Sequence, residues 1–267
     1  MSLDTTQSID NCCRFLAEEL ARSGLNGYVV GLSGGIDSSL SAALAVKAVG
    51  SDKVLGVMMP YRTSSPSSLE DAQKVAEQLA LEIRQVDISP MVDAYYTQIT
   101  PDLQIRAGNK MARERMSILF DLAHKMTRLV LGTGNRTEIC LGYTTIYGDS
   151  ACSVNPIGEL YKTEVRQLAK ALELPDSVIS KAPSADLWAD QTDEGEIGVT
   201  YDEIDGILGR LVDDGVKSLK QLTADDFAES SIRRVVEMLN RNAFKRSLPP
   251  VATHGRRSIP RSIVLES

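Results

Sequence analysis

The residues best suited by type and spacing to do chemistry lie in the run Gly31-Leu32-Ser33-Gly34-Gly35-Ile36-Asp37-Ser38-Ser39. Two adjacent glycines let a backbone approach an anion closely, and a helix starting just after them would add unpaired N–H groups and about half a positive charge. Ser33, Ser38 and Ser39 supply hydroxyl donors. Asp37 would repel a phosphate, unless it holds the Mg²⁺ that accompanies a nucleotide. The run contains neither the Gly-Lys-Ser/Thr of a Walker A loop nor a G-x-G-x-x-G dinucleotide fingerprint. Taken alone it also admits a plainer reading, a tight turn in which Asp37 or Ser38 caps a helix.

Positioning such a loop requires a strand before it and a helix after it. Tyr28-Val29-Val30-Gly31-Leu32 is a short apolar run with β-branched residues, which predicts a buried strand, and residues 38–49 return to helical character. A helix is predicted over 4–22, where Ile9, Cys13, Leu16, Ala17 and Leu20 recur at helical spacing up to Gly24. Further strands are predicted at 53–59, 82–88 and 128–132, and helices at 67–81, 90–98 and 103–127. This alternation predicts an α/β fold: a doubly wound, Rossmann-like parallel sheet with helices on both faces. A loop at the carboxyl end of the first strand is where such a fold binds ligands. Gly, Asn, Thr, Asp and Pro cluster through 132–160 and 181–200, read as active-site loops, and helices are expected again at 162–172, 201–211 and 225–247.

The chain of 267 residues carries 29 basic and 36 acidic side chains, a net charge of −7, which speaks against a chain-wide nucleic-acid surface. A polyanionic ligand must therefore be held locally. No apolar run is long enough to span a bilayer and no signal peptide opens the chain, so a cytoplasmic protein without a membrane role is expected. Cys12, Cys13, Cys140 and Cys152 form no C-x-x-C, and only two histidines occur, so neither a zinc site nor a redox pair is indicated. Residues 1–267 read as one domain, with 249–267 its basic tail.

The SGGIDSS run resembles the pyrophosphate loop of the ATP-pyrophosphatase enzymes, which cleave ATP between the α and β phosphates. Later motifs narrow the resemblance to the NAD synthetase family. They are Asn109–Met116, Leu131–Glu138, Tyr147-Gly148-Asp149, Pro156–Thr163, Pro183–Trp188, Gln191–Glu194 and Gly198–Asp205, in that family's order and spacing over roughly residues 5–260. By position, the resemblance implies ATP contacts at Gly31, Leu32, Ser33, Gly34, Gly35, Ile36, Asp37, Ser38, Thr133, Lys162 and Ser184. Asp37 and Glu138 are then Mg²⁺ ligands, and Asp37 and Lys162 the catalytic pair. Arg113, Ile146, Ser153, His254 and Gly255 fall at deamido-NAD positions. A homodimer is implied too, since the family builds its dinucleotide site at a two-fold interface.

Each role has a physical reason and a plainer alternative. Two carboxylates on separate loops can share a hard cation, although Glu138 also reads as a solvated helix-start acid. A lysine beside a triphosphate is worth about 4 kcal/mol at roughly 4 Å and an effective dielectric of about 20, before desolvation. Lys162 otherwise reads as an exposed helix-start lysine. Arg113 suits a phosphate or carboxylate by bidentate hydrogen bonding, or pairs with a neighbouring acid on its helix. Three positions depart from the ammonia-dependent pattern: Ile146 stands where many members have Lys, Ser153 where they have Asp, and Gly255 where a Lys follows His254. The stretch 142–149 resembles the synthetase domain of the glutamine-dependent branch instead. The implied reaction joins deamido-NAD, ATP and ammonia to give NAD, AMP and pyrophosphate through an adenylated carboxylate. Free ammonia is expected as donor, because synthetase-like motifs occupy nearly the whole chain. Two other readings stay open: an RNA-modifying adenylation, against which the acidic charge and missing C-x-x-C weigh, and a nucleotide-binding module without turnover.

Overall fold

The computed structural model describes residues 3–98, 104–184, 192–247 and 249–252. The amino-terminal half alternates helix and strand: α1 (Thr5–Ser23), β1 (Tyr28–Gly31), α2 (Ile36–Val49), β2 (Val54–Met58), α3 (Pro66–Gln78), β3 (Glu82–Gln85), α4 (Ser89–Tyr96), α5 (Gln104–Met126) and β4 (Leu129–Val130). All pairings are parallel, in the order β3-β2-β1-β4, and Val154 bridges Leu131 in parallel beyond β4. The doubly wound α/β fold is thus present, with β1 in its interior.

Side chains along the strands sort to opposite faces with the period of two that a pleated strand imposes. Tyr28 and Val30 of β1, with Val54 and Met58 of β2, join the apolar cluster formed with α1, α2 and α7 (Lys162–Ala171). Val29, Leu55 and Val57 face the other way, into a cluster with Met111, Met116 and Leu119 of α5. Both faces are covered, which is why β1 and β2 read as near-continuous apolar runs.

The carboxy-terminal half is helical: α6 (Arg136–Leu141), α7, α8 (Asp176–Ile179), α9 (Asp193–Ile197), α10 (Tyr201–Leu208), α11 (Leu219–Ala224) and α12 (Glu229–Arg241). α10 and α12 bury Tyr201, Ile204, Ile207, Ile232 and Val235 in a third apolar cluster that also takes Leu141 from α6. Three sequence expectations are corrected here. The helix expected over 225–247 begins only at Glu229, because Asp226 adopts a left-handed φ of 66° and Ala228 is extended. It ends at Arg241 and a 3-10 turn follows, Ala243–Arg246. The stretches read as loop contain α6 and α9, started by side-chain caps from Asn135 and Thr192. The basic tail beyond residue 252 lies outside the described residues.

Candidate active site

The loop Gly31–Ser38 leaves the carboxyl end of β1, and its neighbours there are Met59 and Pro60 after β2 and Gly132 and Thr133 after β4. Together they line a cleft of about 760 Å³, of a size that takes a nucleotide. Gly34 has φ 76°, and a Cβ on it would lie 2.1 Å from the Ser68 carbonyl oxygen, so this position demands glycine twice over. Ser38 and Ser39 hydroxyls donate to the Gly35 carbonyl at 3.0 and 2.8 Å and fix the turn into α2. Among the described residues no side chain caps α2, and its first N–H groups face the start of the loop that lines the cleft.

Asp37, in the first turn of α2, meets two residues from distant parts of the chain. Lys162 Nζ lies 2.5 Å from its Oδ2, and Asn135 Nδ2 donates to its Oδ1 at 2.8 Å. The same ammonium is 3.5 Å from Glu138 Oε1. Asn135 is fully buried and forms a capping box: Glu138 N donates to its Oδ1 at 2.9 Å, and its own N donates to Glu138 Oε2 at 3.2 Å. Glu138 is thereby aimed at Asp37 by the start of the helix that carries it.

Lys162 opens α7 and is only 2% exposed. Its backbone N donates to Thr137 Oγ1 at 2.9 Å, Thr137 donates to Asp205 Oδ1 at 2.5 Å, and Asp205 Oδ2 accepts from Thr163 N at 2.8 Å. Beneath Lys162 lies the fully buried Tyr201, its ring centroid 5.2 Å from Nζ, a cation–π contact. The Tyr201 hydroxyl donates to Asp193 Oδ2 at 3.0 Å.

The electrostatics follow from this packing. Burial alone would lower the Lys162 pKa, but Asp37 and Glu138 more than offset it and hold the ammonium charged. Burial, reinforced by the Asp37 charge, pushes the Glu138 carboxyl well above the usual range, and burial likewise raises Asp193. Three carboxyl groups around one ammonium leave room for further positive charge, which would favour their ionised forms. A hard divalent cation would supply it, with Asp37 and Glu138 as oxygen ligands. No cluster of three or more His, Cys, Asp or Glu poised for a metal occurs among the described residues.

Of the sequence-predicted ATP and metal residues, Gly31, Leu32, Ser33, Gly35, Ile36, Asp37, Ser38, Thr133, Glu138, Lys162 and Ser184 line this one cleft, and Gly34 shapes its loop from behind. Arg113 and Ile146 meet each other outside it: Arg113 Nε donates to the Ile146 carbonyl at 3.1 Å, and the Arg113 side chain is exposed. Ser153 sits against β4, its Oγ accepting from Val130 N at 3.2 Å. His254 and Gly255 lie outside the described residues. Sequence reasoning passed over Asn135, Thr137 and Asp205 as site-building residues. The Asn-x-x-Glu spacing of Asn135 and Glu138 is a capping-box signal that could have found the first.

The family described as NAD synthase matches residues 8–249. The NH(3)-dependent NAD(+) synthetase of Fusobacterium nucleatum is 44% identical over 252 residues, 94% of this chain and 97% of that protein. That of Trichlorobacter lovleyi is 47% identical over 247 residues, 92% of this chain and 90% of that protein. Among solved structures, the NMN synthetase of Francisella tularensis superposes with a TM-score of 0.84 at 32% identity, covering 95% of this chain and all (100%) of that one. The NH3-dependent NAD synthetase of Campylobacter jejuni gives 0.81 at 35% identity, with 94% and 100% covered. With a family match over most of its length and relatives 44% and 47% identical across most of both chains, this chain is an enzyme that belongs to the NAD synthase family.

Proposed function

We propose that this enzyme converts deamido-NAD to NAD with ATP and ammonia, releasing AMP and pyrophosphate by way of an adenylated carboxylate. The observation that carries the reading is the convergence of Lys162, Asp37 and Glu138 at the mouth of an uncapped helix N-terminus. The loop Ser33–Ser38 and the N–H groups of α2 grip the β and γ phosphates, and Lys162 faces the charge that builds as pyrophosphate leaves. Asp37 and Glu138 would hold Mg²⁺, which when bound would supply positive charge to offset that of the triphosphate. The substrate carboxylate then attacks the α-phosphorus, and ammonia attacks the resulting acyl carbonyl while the cleft walls restrict water.

Ammonia rather than glutamine is favoured by the NH(3)-dependent relatives of matching length; of the glutamine-dependent enzyme of Acinetobacter baumannii, the matched region is 48% of that chain. Deamido-NAD is taken to contact Arg113, Ile146, Ser153, His254 and Gly255, the positions the family resemblance implies, in a site completed by a second copy of the chain across a two-fold axis. The protein is further taken to act as one catalytic domain in the cytoplasm, where its free thiols are stable. No helix among the described residues is long and apolar enough to cross a membrane.

A mass-resolved assay tests the reading. Purified protein with Mg²⁺, ATP, ammonium and deamido-NAD is expected to yield NAD, AMP and pyrophosphate in equal amounts, with glutamine a poor substitute. Release of ADP in place of AMP, or amidation of nicotinate mononucleotide but not of deamido-NAD, would overturn it.

A further inference from the structure

α6 runs only from Arg136 to Leu141, so its last carbonyls lack intrahelical donors and need partners from elsewhere. Gly142 follows in the left-handed conformation, φ 61°, and its N–H together with that of Tyr143 satisfies Glu138 and Ile139. The carbonyls of Cys140, Leu141, Gly142 and Thr144 are taken by side chains from the end of α12 and the 3-10 turn after it. Asn242 Nδ2 donates to Leu141 O at 2.8 Å, and Arg246 Nη1 donates to Cys140 O at 2.7 Å. The half-buried Lys245 ammonium donates to Gly142 O at 2.8 Å and to Thr144 O at 2.7 Å. The fit is close: a Cβ on Gly142 would lie 2.3 Å from Asn242 Cβ.

The segment so held is part of the cleft. Tyr143, Asp149 and Ala151 line it, and Tyr143 also donates to Glu196 at 2.6 Å. The far side of the segment is stitched to α5, where Thr145 Oγ1 donates to Asn109 Oδ1 at 2.6 Å and Arg113 reaches the Ile146 carbonyl. α5 and the 3-10 turn thus grip residues 142–149 from two sides. The turn contributes nothing to the cleft wall itself.

We propose that Asn242, Lys245 and Arg246 form a clamp that positions the 142–149 segment for the second substrate, with Lys245 the principal positioning residue. It bridges two carbonyls that flank Tyr143, the residue that faces the cleft. The clamp's hydrogen bonds go to residues 140–144, whereas the phosphate loop is built on β1 and α2 and Glu138 is set by the Asn135 capping box at the opposite end of α6, so the effect falls on deamido-NAD; that assignment of substrates rests on the function proposed above.

The test is Lys245→Met, which keeps the aliphatic stem and removes the donors, with Lys245→Arg as the conservative variant. Hydrogen exchange of peptides covering 142–151 is expected to accelerate at least tenfold in K245M while peptides of β1 and α2 are unchanged. The KM for deamido-NAD is expected to rise about tenfold at constant KM for ATP, and K245R to recover most of both changes. Unchanged exchange in 142–151, or exchange rising uniformly with both KM values, would overturn the clamp. Should K245M fail to fold, Arg246→Gln and Asn242→Ala, each removing one donor, are held to the same criteria. A wild-type protein that does not amidate deamido-NAD would sink the proposed reaction, and the exchange comparison would then decide the clamp by itself.

Discussion

At the scale of single residues, the site is a charge-balance problem centred on Lys162. Its ammonium is buried between Asp37 and Glu138, with Tyr201 as a floor and Asp193 near by. Removing one partner of a buried pair leaves the others uncompensated, which costs about 3–5 kcal/mol. Lys162→Met is therefore expected to lower the melting temperature. It should also reduce AMP formation by on the order of 10²–10³-fold, the scale of losing one transition-state charge contact. A variant that kept normal turnover would remove Lys162 from the chemistry. Asp37→Asn preserves shape and removes charge, so the Mg²⁺ concentration at half-maximal rate should rise at least tenfold; an unaltered Mg²⁺ titration would take Asp37 out of the ligand set. Asp37 stood out in its glycine-rich loop as a candidate Mg²⁺ ligand, whereas Glu138 and Lys162 were visible in the sequence only because a family pattern marked them. Read by local physics alone, Glu138 was a helix-start acid and Lys162 a surface lysine. What decides their roles is that α2, α6 and α7 start at one place, a fact of tertiary structure.

At the scale of elements, the loop after β1 depends on a contact with the start of α3. Gly34 turns with φ 76° directly against the Ser68 carbonyl. Gly34→Ala would place a side chain in a left-handed conformation and against backbone, costing about 2 kcal/mol or more. Chemical denaturation should show that loss, together with weaker ATP binding; full stability and affinity would refute the close approach. The elements around this loop were legible in sequence. β1 and β2 announce themselves as apolar, β-branched runs buried on both faces, and α1, α2, α3 and α5 by helical spacing close to the observed ends. α6 was hidden because Gly132, Gly134, Asn135 and Thr137 carry loop composition, and its six residues are too few to show a period. The expected helix over 225–247 overran its true start because apolar spacing says nothing about Asp226, whose left-handed backbone breaks the run. Asp205 shows a further limit. It accepts from Thr137 and from the Thr163 N–H at the start of α7, a role no local pattern encodes.

At the scale of the whole molecule, the site is a seam. Asp37 grows from the cluster that packs α1, α2 and α7 on the sheet, while Glu138 rides on α6, whose Leu141 is buried with α10 and α12 in the helical cluster. A ligand bridging Asp37 and Glu138 therefore ties two cores together, and its binding free energy adds to the stability of both. For a ligand present at about 100 times its Kd, linkage contributes about 2.7 kcal/mol. A non-hydrolysable ATP analogue with Mg²⁺ is thus expected to raise the melting temperature by several degrees. The same analogue with EDTA should raise it by much less, since Asp37, Glu138 and Asp193 would then face the triphosphate without a divalent cation to offset them. Glu138→Gln separates metal from fold: the amide oxygen can still accept from Asn135 N and preserve the capping box, but one charged ligand is gone. Its unliganded melting temperature should match or exceed that of the wild type, because burial disfavours the carboxylate. Its rise with Mg²⁺ and analogue should shrink toward the EDTA value. Equal rises in the wild type, in E138Q and in EDTA would mean that the nucleotide is held by the loop after β1 alone. The two halves of the molecule would then not be joined through the metal.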